Sequence, residues 1–253
     1  MIKYFSIFLV VSLFIFSSVY AQRVKADTIK GIEHEIIIQP MTHGTLVLSW
    51  NKTTIYVDPY GGAELFTGIT PPDLILITDI HGDHTSLKTL KGLSTKNATF
   101  IVPTAVAKIL QTDYANQLKV IKNDEVTDFS GIKITAIPMY NLPEDKETRH
   151  PKGRGNGYLL SIDGKTIYIS GDTEGIKEMR ALNNIDIAFV CMNLPYTMDI
   201  NQAADAVLDF EPKIVYPYHY RGNPDVSDTK AFKKLVNNKN KKIEVRLRDW
   251  YKK

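Results

Sequence analysis

The sequence predicts an α/β protein in which two β-sheets pack together and are covered by helices. Three observations point there. Strand-like segments dominate the start of each half of the chain, helices alternate with strands later in each half, and several strands run directly into clusters of His and Asp. No low-complexity segment and no internal repeat of about 20–50 residues competes with that pattern.

Taken in order, Glu35 to Gln39, Thr45 to Trp50 and Thr54 to Val57 read as strands, the last two joined by a turn at Asn51-Lys52. Leu74 to Ile77 is a continuous apolar run, as expected of a buried strand. Pro103 opens a helix that extends to Leu110, because proline is favoured in a first helical turn. Gly131 to Met139, Tyr158 to Ile162 and Thr166 to Ser170 follow as strands, and Asp163-Gly164 is a strong hairpin turn between the last two. Gly175 to Leu182 reads as helix and Ile185 to Cys191 as strand. Asp199-Ile200-Asn201-Gln202 has the form of a capping box, followed by the apolar face Ala203, Ala206, Val207 and Phe210. Lys213 to Tyr218 is a strand and Asp228 to Asn237 a helix.

The first 21 residues are expected to be an export signal. Lys3 is followed by an apolar run from Tyr4 through Phe16, and Val19 and Ala21 place short side chains before a cut after Ala21. The run is shorter than the roughly 20 residues of a membrane span, so a stable anchor is not expected once the segment is removed. Residues 22–253 then form one domain, exported to the periplasm or secreted. Its net charge falls from +3 to +2, since the leader holds one Lys and no acid. That balance gives no generic attraction to nucleic acid. Cys191 is the only cysteine, which excludes an intrachain disulfide, and its apolar neighbours mark it as a small buried hydrophobe.

The chemistry concentrates in Thr78-Asp79-Ile80-His81-Gly82-Asp83-His84, four potential cation ligands in six residues directly after an apolar strand. Imidazole and carboxylate suit divalent metals, and the two carboxylates gain from a cation between them. Two further strands end in ligand types: Thr166 to Ser170 runs into Gly171-Asp172-Thr173-Glu174, and Lys213 to Tyr218 into His219. Loops at the carboxyl ends of strands line the natural crevice of a layered α/β fold, so these residues can converge. Gly171 permits the sharp turn that aims Asp172 inward.

On these motifs the chain resembles the metallo-β-lactamase superfamily, in order and over nearly all of residues 22–253. Tyr56-Val57-Asp58-Pro59 looks like the family's early strand ending in Asp-Pro, the segment 79–84 like its main metal motif, Gly171-Asp172-Thr173 like its bridging aspartate, and His219 like its last histidine ligand. The resemblance implies a four-layer αββα sandwich, closest to the lactonase-like and phosphodiesterase-like branches. It also implies two divalent ions, with zinc the leading choice and manganese or iron as alternatives. Carried over, the first position would use Asp79, His81 and a third ligand, the second Asp83, His84 and His219, with Asp172 bridging.

Two departures stand out. The motif usually opens with His, and here that residue is Asp79. Three carboxylates and one hydroxide would balance two divalent cations, whereas His at position 79 would leave one positive charge, so Asp79 is expected to favour harder ions such as Mn²⁺ or Fe²⁺. The third ligand is expected near Asn141; His150, nine residues on in a Gly-rich loop, is the better ligand and is favoured for the vacant place. His43 is a candidate orienting residue, and His34 a surface residue at a strand start.

The implied activity is metal-assisted hydrolysis of an ester, lactone or phosphodiester bond in a small molecule. Asp83 and Asp172 orient the nucleophile while acting as ligands. Asn193, Tyr196 and Tyr220 are candidate substrate contacts, as is Tyr218, which with Tyr220 flanks His219. Lys152, Arg154 and Arg221 form either an anion pocket or a solvated face. The competing class is a binding module of the same fold that keeps a metal for stability alone.

Overall fold

The computed structural model describes residues 23–221 and 225–251. The leader assigned to residues 1–21 lies outside the described residues. Two seven-stranded sheets are built by the same rule. In the first, β1 (Asp27–Lys30), β2 (Glu35–Thr42), β3 (Thr45–Trp50) and β4 (Thr53–Val57) form an antiparallel meander. It continues in parallel through β5 (Leu74–Leu76), β6 (Thr99–Val102) and β7 (Leu118–Val120). The second repeats this with β8 (Val126–Phe129), β9 (Ile132–Met139), β10 (Gly155–Ile162) and β11 (Lys165–Ile169) antiparallel. Then β12 (Ile187–Cys191), β13 (Ile214–Tyr218) and β14 (Glu244–Val245) run parallel. Parallel neighbours need crossovers, and the helices α1 (Leu87–Gly92), α2 (Thr104–Tyr114), α3 (Lys177–Arg180), α4 (Ile200–Phe210) and α5 (Thr229–Lys239) lie in those connections.

Strand periodicity decides which face each residue joins. Ile36 and Ile38 of β2 are fully buried between the sheets, while Ile37 between them is 41% exposed. Leu46, Leu48, Ile55 and Val57 from the first sheet meet Ile134, Leu160, Ile167 and Ile169 from the second in the central core. The alternate residues Val47, Tyr56, Ile75 and Phe100 face outward and are covered by Val106, Leu110 and Tyr114. On the far side Ala203, Val207, Phe232 and Val236 join the second sheet's core. The result is the αββα sandwich expected above.

Both hairpin turns form as expected: Asn51 and Lys52 take φ 42° and 64°, Asp163 and Gly164 φ 49° and 74°, the positive-φ pair that two-residue hairpins need. Two expectations require correction. The helix read over Gly175 to Leu182 spans only Lys177–Arg180, because Glu174 N–H donates to Tyr140 O at 3.0 Å and Ile176 caps the helix in an extended conformation. The capping box is half made: Asp199 accepts from the Asn201 and Gln202 amides, but the Gln202 side chain donates to Glu174 at 3.0 Å instead of turning back.

β1, β6, β7, β8, β14 and α1 are further elements beyond those expected from the sequence. Among the described residues no helix is long and apolar enough to cross a membrane.

Candidate metal centre

The site lies at the carboxyl ends of the strands, where both halves of the sandwich deliver their loops. Residues 79–85 make a tight turn after β5, held by His84 and Thr85 amides donating to His81 O at 2.9 and 2.7 Å and by Thr85 Oγ1 donating to Asp79 O at 2.6 Å. That turn puts Asp79, His81, Asp83 and His84 on one side. Asp172 follows β11 through Gly171, whose φ of 62° and whose missing Cβ, 2.7 Å from Met139 Sδ, both require glycine. The Tyr218 hydroxyl accepts from Gly171 N–H at 3.0 Å and fixes that turn. His219 follows β13 with φ 44°. His43 (φ 54°) and Asp58 (φ 43°) share this unfavourable region with His219, so three non-glycine residues that build the site sit in strained backbone.

Asp172 is the centre of the arrangement. Its Oδ2 lies 3.3 Å from His84 Nε2 and 3.2 Å from His150 Nε2, and its Oδ1 lies 3.2 Å from His219 Nε2. All four side chains are buried. The His219 and His84 Nε2 atoms are themselves 3.2 Å apart. Asp83 stands beside them, with Oδ2 3.6 Å from His219 Nε2 and 2.8 Å from His43 Nε2.

The outer hydrogen bonds set the tautomers. Asp58 accepts from Thr78 N–H at 2.8 Å, from Thr78 Oγ1 at 2.6 Å and from His84 Nδ1 at 2.7 Å. His84 is therefore protonated at Nδ1 and turns an Nε2 lone pair inward. His150 Nδ1 faces Asn141 Oδ1 at 3.1 Å, and the orientation of that amide is fixed. Its oxygen also accepts from His150 N–H, and its nitrogen donates to Tyr196 O and Glu174. His150 thus also presents an Nε2 lone pair to Asp172. Two lone pairs aimed at a buried carboxylate repel unless a metal ion or a proton lies between them. Among the described residues, His150 Nε2 and Asp172 Oδ1 have no hydrogen-bond partner. The donor set fits a divalent metal.

A proton can take the cation's place on His84. Burial works against charging His84, yet the Asp172 and Asp58 carboxylates hold its pKa well above the ordinary value. Burial would raise Asp172, but His219 and His84 hold it well below. Burial brings His43 down to about 4 despite its hydrogen bond to Asp83.

Three sets of side chains bring ligand atoms within 4.8 Å of one another: Asp79, His81 and His150; His84, Asp172 and His219; and His43, Asp83 and His219. Every ligand expected from the sequence lies in this cluster, and His150 rather than Asn141 points its ring inward. The other expectations divide. Asn193 is buried with Oδ1 unpartnered, and Tyr196 is 41% exposed on the same loop with the Arg149 guanidinium 4.2 Å over its ring. Tyr220 is engaged elsewhere, its hydroxyl accepting from Trp250 N–H and donating to Arg248 O, both at 3.1 Å. The anion pocket is not assembled. Lys152 pairs with Glu178 at 2.9 Å, and Arg154 pairs with Asp79 through Nε–Oδ1 at 3.1 Å and a terminal nitrogen–Oδ2 at 3.0 Å. His34 is exposed. Three positioning contacts were not read from the sequence: Asp58 on His84, Arg154 on Asp79, and the Tyr251 hydroxyl on His43 Nδ1. Only Asp58 carried a signal, in its Asp-Pro strand end.

A two-sheet sandwich with clustered His and Asp at its strand ends defines a metal-binding protein, and its relatives are metal-dependent hydrolases. The sequence profile of the Beta-lactamase superfamily domain matches residues 37–219, and the chain belongs to the metallo-β-lactamase superfamily. It is 31% identical over 183 residues to a UPF0173 metal-dependent hydrolase of Pyrococcus abyssi, covering 69% of this chain and 78% of the relative. It is 32% identical over 206 residues to one from Lysinibacillus sphaericus, covering 78% and 90%. Among solved structures it is similar to one described as a metal-dependent hydrolase from Parabacteroides distasonis, with TM-score 0.77, 38% identity and coverage of 89% and 98%. The fold is shared with the metallo hydrolase Igni18 of Ignicoccus hospitalis, TM-score 0.71 at 23% identity over 84% and 94% of the two chains.

Proposed function

We propose that the chain is an exported hydrolase that cuts an ester, lactone or phosphodiester bond of a small molecule at two divalent ions, zinc foremost. The observation that carries this reading is the pair of outward-fixed imidazoles, His84 and His150, whose inner nitrogens face the Asp172 carboxylate at 3.3 and 3.2 Å. Asp79, His81 and His150 would hold one ion and Asp83, His84 and His219 the other, and Asp172, which faces His84, His150 and His219, would complete the donor set. Divalent ions held there would supply Lewis-acid activation of water and of the bond under attack.

The protein's own groups divide the remaining work. Asp83 is the one carboxylate of the cluster with substantial exposure, 30% of its side chain. Burial raises its pKa, but hydrogen bonds from His219 and His43 outweigh that and hold it well below the ordinary range. It is therefore an anion oriented at Oδ2 by His43, placed to align an attacking water while acting as a ligand. Asp172 is buried and holds three imidazoles in register. Asn193 and Tyr196 border the site on a loop that Asn141 Nδ2 ties down at Tyr196 O, 2.9 Å away. Export is supported by the Lys3, apolar and Val19/Ala21 pattern of the leader.

The test is hydrolysis by residues 22–253 of a panel of carboxylic esters, lactones and phosphodiesters. Turnover of one class is expected, abolished by chelation and restored by added ions. Asp83→Asn should lower it about 100-fold or more. A fully metallated protein that turns over none of them would favour the metal-stabilised binding module.

A further inference from the structure

Asp79 stands where the family's motif carries histidine, and its neighbours make it a different kind of ligand. Arg154, from the loop before β10, lays its guanidinium along both carboxylate oxygens at 3.1 and 3.0 Å. The Asp79 side chain is 0% exposed and that of Arg154 20%. The remaining close partner is His81 Nδ1, 2.7 Å from Oδ2. A guanidinium keeps its proton at any working pH, and the two-pronged geometry is the strong form of the pair. Arg154 thus cancels the extra negative charge on the spot. Asp79 with Arg154 carries the same net charge as the neutral imidazole it replaces.

The pair does not offer the same ligand. Each Asp79 oxygen is already committed to a guanidinium hydrogen, and a fixed positive charge lies directly behind it. Asp172 is the reverse: both its oxygens face imidazole nitrogens, at 3.2, 3.2 and 3.3 Å, and among the described residues no Lys or Arg pairs with it. Like charges repel across the partly buried interior more strongly than in water, so a cation at Asp79 faces the Arg154 charge directly, while Asp172 has no guanidinium against its oxygens among the described residues.

We propose that the two metal positions of this chain are unequal: the ion at Asp172, His84 and His219 is held tightly, and Arg154 makes the position of Asp79, His81 and His150 a weak, exchangeable one. Arg154 is a positioning residue that sets occupancy of the first position through Asp79. The inference rests on the metal-centre reading above.

The experiment is zinc titration of residues 22–253, after dialysis against metal-free buffer, by elemental analysis and competition with a chromophoric chelator. Wild type should retain about one equivalent and bind a second at least about 10-fold more weakly. Arg154→Met should tighten the second ion about 10-fold or more, by removing the opposing charge and freeing the Asp79 oxygens. Arg154→Lys, which keeps the charge but not the fork, should fall between them. Equal second-ion affinity in wild type and Arg154→Met, within about two-fold, overturns the proposal. If Arg154→Met does not fold, as circular dichroism would reveal, the same equality between wild type and Arg154→Lys overturns it. Absence of any bound ion in every variant instead removes the metal centre itself.

Discussion

Asp58 illustrates how much a single residue decides. It touches no candidate metal position, yet it accepts three hydrogen bonds and sets which nitrogen of His84 faces inward. Asp58→Asn leaves the shape and removes the charge that holds the imidazole, so metal affinity should drop about 10–100-fold; a chelator competition assay measures it. Gly44 acts through absence. A Cβ there would lie 2.9 Å from His219 Cδ2, on a ring that is fully buried. Gly44→Ala should therefore displace His219 and weaken metal binding by about 10-fold or more, with little effect on the far sheet.

Residues 79–84 were legible in the sequence because they are neighbours along the chain, and Asp172 and His219 because strand ends converge in any layered α/β fold. The grip of Arg154 on Asp79 was not, since 75 residues separate the pair. Neither was the hydroxyl of Tyr251 on His43, 208 residues away, which depends on how the C-terminal segment returns over the sheets.

At the scale of elements, apolar runs and turn residues revealed the strands that line the core. The segments that escaped notice were short or at sheet edges. β7 is three residues long with two of them exposed, and β14 has two residues. Such strands have too few buried positions to show a period of two.

One of them still matters. Asp27 of β1 accepts from Tyr216 Oη at 2.6 Å and from the Arg248 guanidinium, joining the edge of the first sheet to β13 and the C-terminal segment. Burial raises its pKa, but those bonds and the charges of Arg248 and Arg246 outweigh it and hold it below 3.8. Because the unfolded chain binds that proton more readily, the stabilisation is complete above pH 3.8 and is lost as pH falls through the lowered folded value. Asp27→Asn should cost about 1–2 kcal/mol at neutral pH and flatten the acid limb of a stability–pH curve measured by urea unfolding.

Across the whole molecule, the repeated plan of a four-strand meander followed by three parallel strands brings two sets of strand-end loops to one edge, and the metal centre spans them. Asp79 to His84 come from the first half, His150, Asp172 and His219 from the second. The C-terminal segment locks the halves together. Trp250 is 1% exposed, its Nε1 donates to Thr45 O at 3.2 Å, and its ring lies 6.3 Å from Tyr218. Trp250→Ala should destabilise the fold by about 3–5 kcal/mol, read as a lowered denaturant midpoint.

The central claim is that the two halves meet at a cation held by Asp172. The most direct measurement is elemental analysis of residues 22–253 purified without chelator, beside Asp172→Ala. Stoichiometric zinc, manganese or iron in the wild type, lost or at least halved in the variant while its circular dichroism is unchanged, is the predicted result. Equal metal content in the two proteins, or none in either after reconstitution, would contradict it.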